Sequence, residues 1–249
     1  MPFVDSNGVR IYFQVEGDGP PLIMQHGFTD SLETWYEVGY VDALKRDRQL
    51  ILVDARGHGR SDKPRLTSAY TAELRVADIV SVLQRLEIPR ADYFGYSMGG
   101  WIGFCMARHA ADRVHRLILG GHGAESRSRI DSAFLALKGG GRDAIPALWR
   151  APLSPAHVAR LLSNDVEALM ASRVDALGFS DLLPKMAMPC LLYAGAFAPE
   201  CPLVEETAAQ MPNAAFFTLP GLTHGEAYLR SDLVLPRVLD FLKSSRSLG

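Results

Sequence analysis

Apolar residues gather in short runs of strand length, at 9–15, 21–25, 49–53, 91–95, 114–119, 189–194 and 214–219, bounded by Gly, Pro or Asp. Several of these runs are apolar at every position, which suits strands covered on both faces of a parallel sheet. Between them the period changes. Across residues 71–87, Val76, Val80, Leu83 and Leu86 recur at spacings of three and four, so Glu73, Arg75, Asp78, Arg85 and Glu87 are expected on the opposite, solvated face. Residues 98–110 and 231–242 also read as helices. Alternating strand and helix implies a doubly wound α/β sheet. One stretch breaks the alternation. Residues 123–184 show no strand pattern, only helical patches near 144–149, 155–162 and 165–176. They are expected to form a small helical cap inserted in a core made of residues 1–122 and 185–249.

Length fits this reading. A chain of 249 residues suits one large α/β domain, two small ones being the alternative. With 48% hydrophobic residues it can build its core without disulfides or a metal. A net charge of -2 gives no reason to expect nucleic acid or an anionic membrane as partner. Cys105, Cys190 and Cys201 are odd in number and form no CxxC, which points to a reducing compartment. The first ten residues contain no apolar stretch of secretory type, and no run approaches the roughly 18 apolar residues of a spanning helix. The expectation is a soluble cytoplasmic protein that takes a small-molecule substrate, and nothing in the pattern opposes a homo-oligomer.

The sharpest local feature is Gly95-Tyr96-Ser97-Met98-Gly99-Gly100. It follows a strand pattern and precedes a helical one, the context that a G-x-S-x-G nucleophile elbow requires. The turn lifts the Ser97 hydroxyl above the sheet and aims the Met98 amide at the same place, at the positive end of the following helix. The plain alternative is a Gly-rich turn carrying a solvated serine. A serine hydroxyl also needs a base. His224, in a loop just after the last predicted strand, is the leading candidate, ahead of His58, His109, His115 and His157. A second oxyanion donor is expected from the Phe28 amide in His26-Gly27-Phe28, with Gly27 allowing close approach and His26 holding the loop.

Together these features resemble the α/β-hydrolase superfamily over essentially the whole chain. Residues Asp54 to Pro64 look like the D-x-R-G-x-G-x-S-x-x-P turn of its esterase, lactonase and C–C hydrolase branches, where it is a structural loop. The resemblance implies a mostly parallel eight-stranded sheet flanked by helices, and an esterase or lactonase that works through a serine nucleophile. The elbow and short cap are similar to those of enol-lactonases, perhydrolases and small carboxylesterases. One position departs from the family pattern. Relatives place the acid of the triad in G-x-x-D after the next-to-last strand, and here Ala198 stands where that Asp would be. Three readings follow. Glu200, two residues further on with a longer arm, reaches His224; or Glu125, after the preceding strand, does so; or no acid is present and the protein is a weakened or repurposed hydrolase.

The substrate pocket is expected to be lined by His26, Gly27, Phe28, Tyr96, Met98, His122, Trp149 and Phe197, with plain core packing as the competing role, above all for Trp149. No Gly-rich loop is placed to cradle a dinucleotide and no histidine pair has metal-ligand spacing, so neither cofactor nor metal is expected. Ester or lactone hydrolysis through an acyl-enzyme is the leading function. The rivals are a small-molecule binding module, suggested by Ala198, and other acyl chemistry such as perhydrolysis or C–C bond cleavage.

Overall fold

The computed structural model describes residues 2–125, 129–173 and 178–244. Its strands are β1 (Phe3–Ser6), β2 (Val9–Glu16), β3 (Pro21–Gln25), β4 (Gln49–Val53), β5 (Ala91–Tyr96), β6 (Val114–Gly120), β7 (Cys190–Gly195) and β8 (Ala214–Leu219). They form one sheet in the order β1-β2-β4-β3-β5-β6-β7-β8. β2 runs antiparallel to β1 and to β4. Every other neighbouring pair is parallel. All seven expected strands are present, within a residue or so of their expected bounds.

β1 is the strand that the hydrophobic pattern did not announce. It is short and carries Asp5 and Ser6, so it offers little apolar signal. Its turn is more explicit. Asn7 and Gly8 have φ of 54° and 77°, and Ser6 pairs with Val9 across them. Two positive φ values at Asn-Gly are the signature of a two-residue hairpin turn whose twist matches that of the strands.

The continuous apolar runs follow from the double cover. Successive side chains on a strand point to opposite faces. Ile23, Ile51, Tyr93, Leu117, Leu119 and Leu192 belong to one buried cluster. Leu22, Met24, Leu50, Leu52, Phe94, Ile118, Leu191 and Tyr193 belong to the other. In the register, Gln25 pairs with Gly95, Tyr96 with Gly120, Gly120 with Tyr193, and Gly195 with Leu219. The carboxyl ends of β3, β5, β6, β7 and β8 are therefore level. The loops that leave them emerge along one edge, the usual place for a site in an open α/β sheet.

The helix Ala72–Arg85 corrects one expectation. Arg75 and Asp78 are not on a solvated face; each is only 3% exposed. The helix is covered on a second side by the loop that follows β4. From that loop the Arg56 guanidinium grips Asp78 with two bonds, Nε to Oδ2 at 2.7 Å and Nη2 to Oδ1 at 2.5 Å. Arg75 donates to Tyr70 O at 3.2 Å and to Ser172 O at 2.5 Å. Burial pulls its pKa down to about 10. Removing one partner of a buried pair strands the other charge, a loss of about 3–5 kcal/mol. Asp78→Ala is therefore expected to lower the unfolding free energy, read from urea denaturation, by that amount. A shift below 1 kcal/mol would mean that Arg56 is solvated without its partner.

Between β6 and β7 the described residues hold helices at Arg129–Gly140, Ile145–Leu148, Pro155–Leu162 and Val166–Ala171, and no strand. Ser154 caps one, accepting from the His157 amide, and Asp165 caps another, accepting from Ala168. Among the described residues no helix is long and apolar enough to cross a membrane.

Candidate active site

β5 ends at Tyr96, and the next residue turns sharply. Ser97 has φ 55° and ψ -110°, a conformation that non-glycine residues rarely adopt. Three constraints hold it there. The Ser97 amide donates to Gly120 O at 2.8 Å. Tyr93 Oη donates to Gly99 O at 2.7 Å. The flanking glycines leave no room to relax: a β-carbon on Gly95 would lie 2.2 Å from Gly99 O, and one on Gly99 would lie 2.1 Å from Gln25 O. These are backbone contacts that no side chain can yield, so the helix start is packed against both its own strand and β3. Gly99→Ala is expected to destabilise the fold by about 3 kcal/mol or more, by overpacking. A thermal melt within 1 °C of the parent would contradict this closeness.

His224 comes to Ser97 from the loop after β8. Its backbone is fixed as the first residue of the helix His224–Leu229 by a capping box. The Thr223 hydroxyl accepts from the Glu226 amide at 3.4 Å, and the Thr223 amide donates to the Glu226 carboxylate at 2.8 Å. Below the imidazole lies the buried ring of Tyr96, with centroids 5.2 Å apart, and Tyr96 Oη donates to His224 O at 2.5 Å. Gly121, with φ 64°, passes so close that a β-carbon there would meet His224 Cε1 at 2.9 Å. His224 Nε2 stands 2.9 Å from Ser97 Oγ.

The other ring nitrogen settles which carboxylate comes to the histidine. His224 Nδ1 hydrogen-bonds to Glu200 Oε1. With the Nδ1 proton given to the carboxylate, Nε2 is left as the acceptor for the Ser97 hydroxyl proton. The two side chains are 17% and 10% exposed, mostly shielded from water. Glu125 lies elsewhere: it is exposed and accepts from Ser180 Oγ at 2.5 Å. Glu200 succeeds because the segment after β7 is drawn under the His224 loop. Ala196 N–H donates to Leu219 O and Phe197 N–H to Leu222 O, both at 2.9 Å. Gly195 makes room, since a β-carbon there would sit 2.3 Å from Leu222 O. Ala198 is buried inside this turn. Glu200 follows at the start of the helix Cys201–Ala209, where the positive helix end favours a carboxylate.

The two residues expected to supply oxyanion amides lie in segments next to Ser97. Met98 is the first residue of its helix, so its N–H has no acceptor within that helix. Phe28 occupies the turn of residues 27–30, closed by Asp30 N–H to Gly27 O at 3.3 Å. Gly27 keeps that turn close to the serine: its β-carbon would lie 3.4 Å from Ser97 Cβ. His26 is fully buried and holds the turn, with Nε2 accepting from the Ala55 amide at 3.0 Å and Nδ1 donating to Gly27 O at 2.7 Å. The loop after β4 supports it from below, where Asp54 accepts from the amides of Leu32 and Arg60, each at 2.8 Å.

Not every expected lining residue faces the site. Phe197 is 72% exposed, because the turn that delivers Glu200 points it outward. Trp149 is 9% exposed and packs between His157 and Tyr228, at centroid distances of 4.5 and 6.1 Å. That is the packing role weighed against it. His122 is half-buried next to Gly100 and 6.4 Å from the Phe104 ring. A cavity of about 400 Å³ lies away from Ser97, lined by Arg65, Arg142 and residues 163–167. Cys105 and Cys190 are buried, and burial pushes each thiol up to about 12, so they are inert. Sequence reading missed Gly121 and Thr29. The Gly120-Gly121 pair at the end of β6 was a visible signal for the first, and the second had none.

The chain is similar to known proteins in the same sense. Over 118 residues it is 32% identical to a putative 2-succinyl-6-hydroxy-2,4-cyclohexadiene-1-carboxylate synthase of Bacillus subtilis, covering 46% of this chain and 41% of that one. It is 27% identical to a putative non-heme chloroperoxidase of Synechocystis over 98% of this chain and all of the relative. The enol-lactonase of Burkholderia xenovorans LB400 superposes with a TM-score of 0.87 over 98% of this chain and 100% of the other, at 23% identity, which speaks to the fold. The model of the alpha/beta hydrolase fold family matches residues 20–165, more than half of the chain, and the protein belongs to that family.

Proposed function

We propose that the protein is a serine hydrolase that cleaves a small carboxylic ester or lactone through an acyl-enzyme at Ser97. One observation carries the reading: Ser97 Oγ lies 2.9 Å from His224 Nε2 while His224 Nδ1 is bonded to Glu200. His224 takes the Ser97 proton as Oγ attacks the carbonyl carbon. Glu200 holds the ring in the required tautomer and offsets the charge of the imidazolium. The Phe28 and Met98 amides receive the oxyanion. Collapse of the tetrahedral adduct releases the alcohol, which takes the proton from His224, and leaves the acyl group on Ser97. Water, deprotonated by His224, then hydrolyses that ester. In a lactone the freed alcohol stays covalently on the acyl chain, and the second step releases the whole hydroxy acid from Ser97.

The test is covalent. A fluorophosphonate should label Ser97 rapidly at neutral pH, with the adduct mapped by mass spectrometry. Short p-nitrophenyl esters should be turned over. A protein that resists the probe while remaining folded would leave Ser97 without a role and favour a binding module. A second reading draws on the full-length chloroperoxidase relative. On this reading the acyl-enzyme at Ser97 is intercepted by hydrogen peroxide in place of water and releases a peracid. Product analysis with peroxide present separates the two.

A further inference from the structure

Thr29 is β-branched yet has φ 69°, next to the Phe28 amide and in a turn closed by a single long hydrogen bond. Left to itself, a β-branched residue leaves this region of backbone space. Packing does not hold it on one side, where a small cavity of about 30 Å³ is bounded by Thr29, Asp30, Ser31, Ser163 and Asn164. What holds Thr29 comes from the helical segment between β6 and β7. Asn164 Nδ2 donates to Thr29 O at 2.7 Å, and Trp149 Nε1 donates to Thr29 Oγ1 at 3.2 Å. Both donors are themselves fixed. Asn164 is 6% exposed and also donates to Leu161 O at 3.0 Å. Trp149 is wedged between two rings, and its carbonyl seats against Gly225, where a β-carbon would lie 2.1 Å away. The next carbonyl, Arg150 O, accepts from the Thr223 hydroxyl at 3.1 Å. The segment thus grips the residue after Phe28 and the two residues flanking His224.

We infer that Trp149 and Asn164 are positioning residues for the oxyanion donor: they hold Thr29 in its strained conformation and so aim the Phe28 N–H at the developing charge. The inference rests on the serine-hydrolase reading above. It makes the helical segment part of the catalytic geometry in addition to any role in covering the substrate. If Thr29 relaxes, the Phe28 amide rotates away while the Ser97–His224–Glu200 contacts stay as they are.

Two variants separate this from general stability. Trp149→Phe removes one N–H and keeps the ring packing; Asn164→Ala removes the other donor. Each should lower kcat for a p-nitrophenyl ester by about 10- to 100-fold, the scale of a displaced or lost oxyanion donor, with KM within about threefold. Circular dichroism should show both folded. In a Thr29→Gly background, where positive φ carries no steric penalty, the same Asn164→Ala change should lower kcat by less than about threefold. Folded variants with unchanged kcat would overturn the inference, as would an equal loss in both backgrounds. If ester turnover by the parent survives Ser97→Ala, the hydrolase reading itself fails and the inference falls with it, so the two failures are distinct.

Discussion

Ser97→Ala is expected to reduce turnover of a short p-nitrophenyl ester by about 10⁶-fold, leaving only the residual acceleration that binding and the oxyanion donors supply. That is the scale seen when a nucleophile acting as a unit with its base is removed. The size follows from the pairing of nucleophile and base. Ser97 Oγ lies within hydrogen-bond reach of His224 Nε2, and it is presented by a strained turn at the carboxyl edge of the sheet. Binding should survive, since Ala lacks one oxygen and keeps the β-carbon. Stability should hardly change, because alanine inherits the same strain at φ 55°. Ser97→Gly makes the complementary prediction: equally inactive, but more stable, because glycine adopts that backbone without penalty. Residual activity of Ser97→Ala above one thousandth of the parent would point to another nucleophile.

Glu200→Gln is expected to lower kcat by about 10⁴-fold with little change in KM, the effect of an uncharged orienter in a serine hydrolase. The glutamine keeps the length of the arm. It loses the negative charge that balances the imidazolium, and its amide admits the wrong ring tautomer. Glu200→Asp should fall between the two, since the charge remains but the arm that spans from the helix Cys201–Ala209 to His224 Nδ1 is one methylene short. Glu125→Gln is the control: its carboxylate is engaged with Ser180, so kcat should stay within twofold. A Glu200→Gln variant that keeps more than a tenth of parental kcat would show that the histidine works without this carboxylate.

Much of this was open to reading along the chain because the signals are local. The elbow is a property of six consecutive residues, with glycines at the positions where a β-carbon would strike the backbone. Strands buried on both faces announce themselves by being apolar throughout, and several of the seven expected strands were visible that way, the others by shorter apolar runs between turn residues. β1 escaped because an edge hairpin needs few apolar residues, although its Asn7-Gly8 turn was readable. The polar face assigned to Arg75 and Asp78 failed for a different reason. Periodicity tells which residues avoid the sheet, but a polar side chain can also be buried against a loop that brings its partner, and Arg56 lies far away in sequence.

The order of chemical groups along the chain, and hence the serine, its histidine and the class of fold, was determined by sequence alone, because turn sterics and strand burial act on neighbouring residues. Which carboxylate meets His224 was decided only in three dimensions. Whether Glu200 or Glu125 arrives depends on hydrogen bonds between the segments after β7 and β8, residues brought side by side by sheet pairing and not by sequence. The same holds for Thr29, whose strain has no signature in its own neighbourhood and persists through donors more than a hundred residues away.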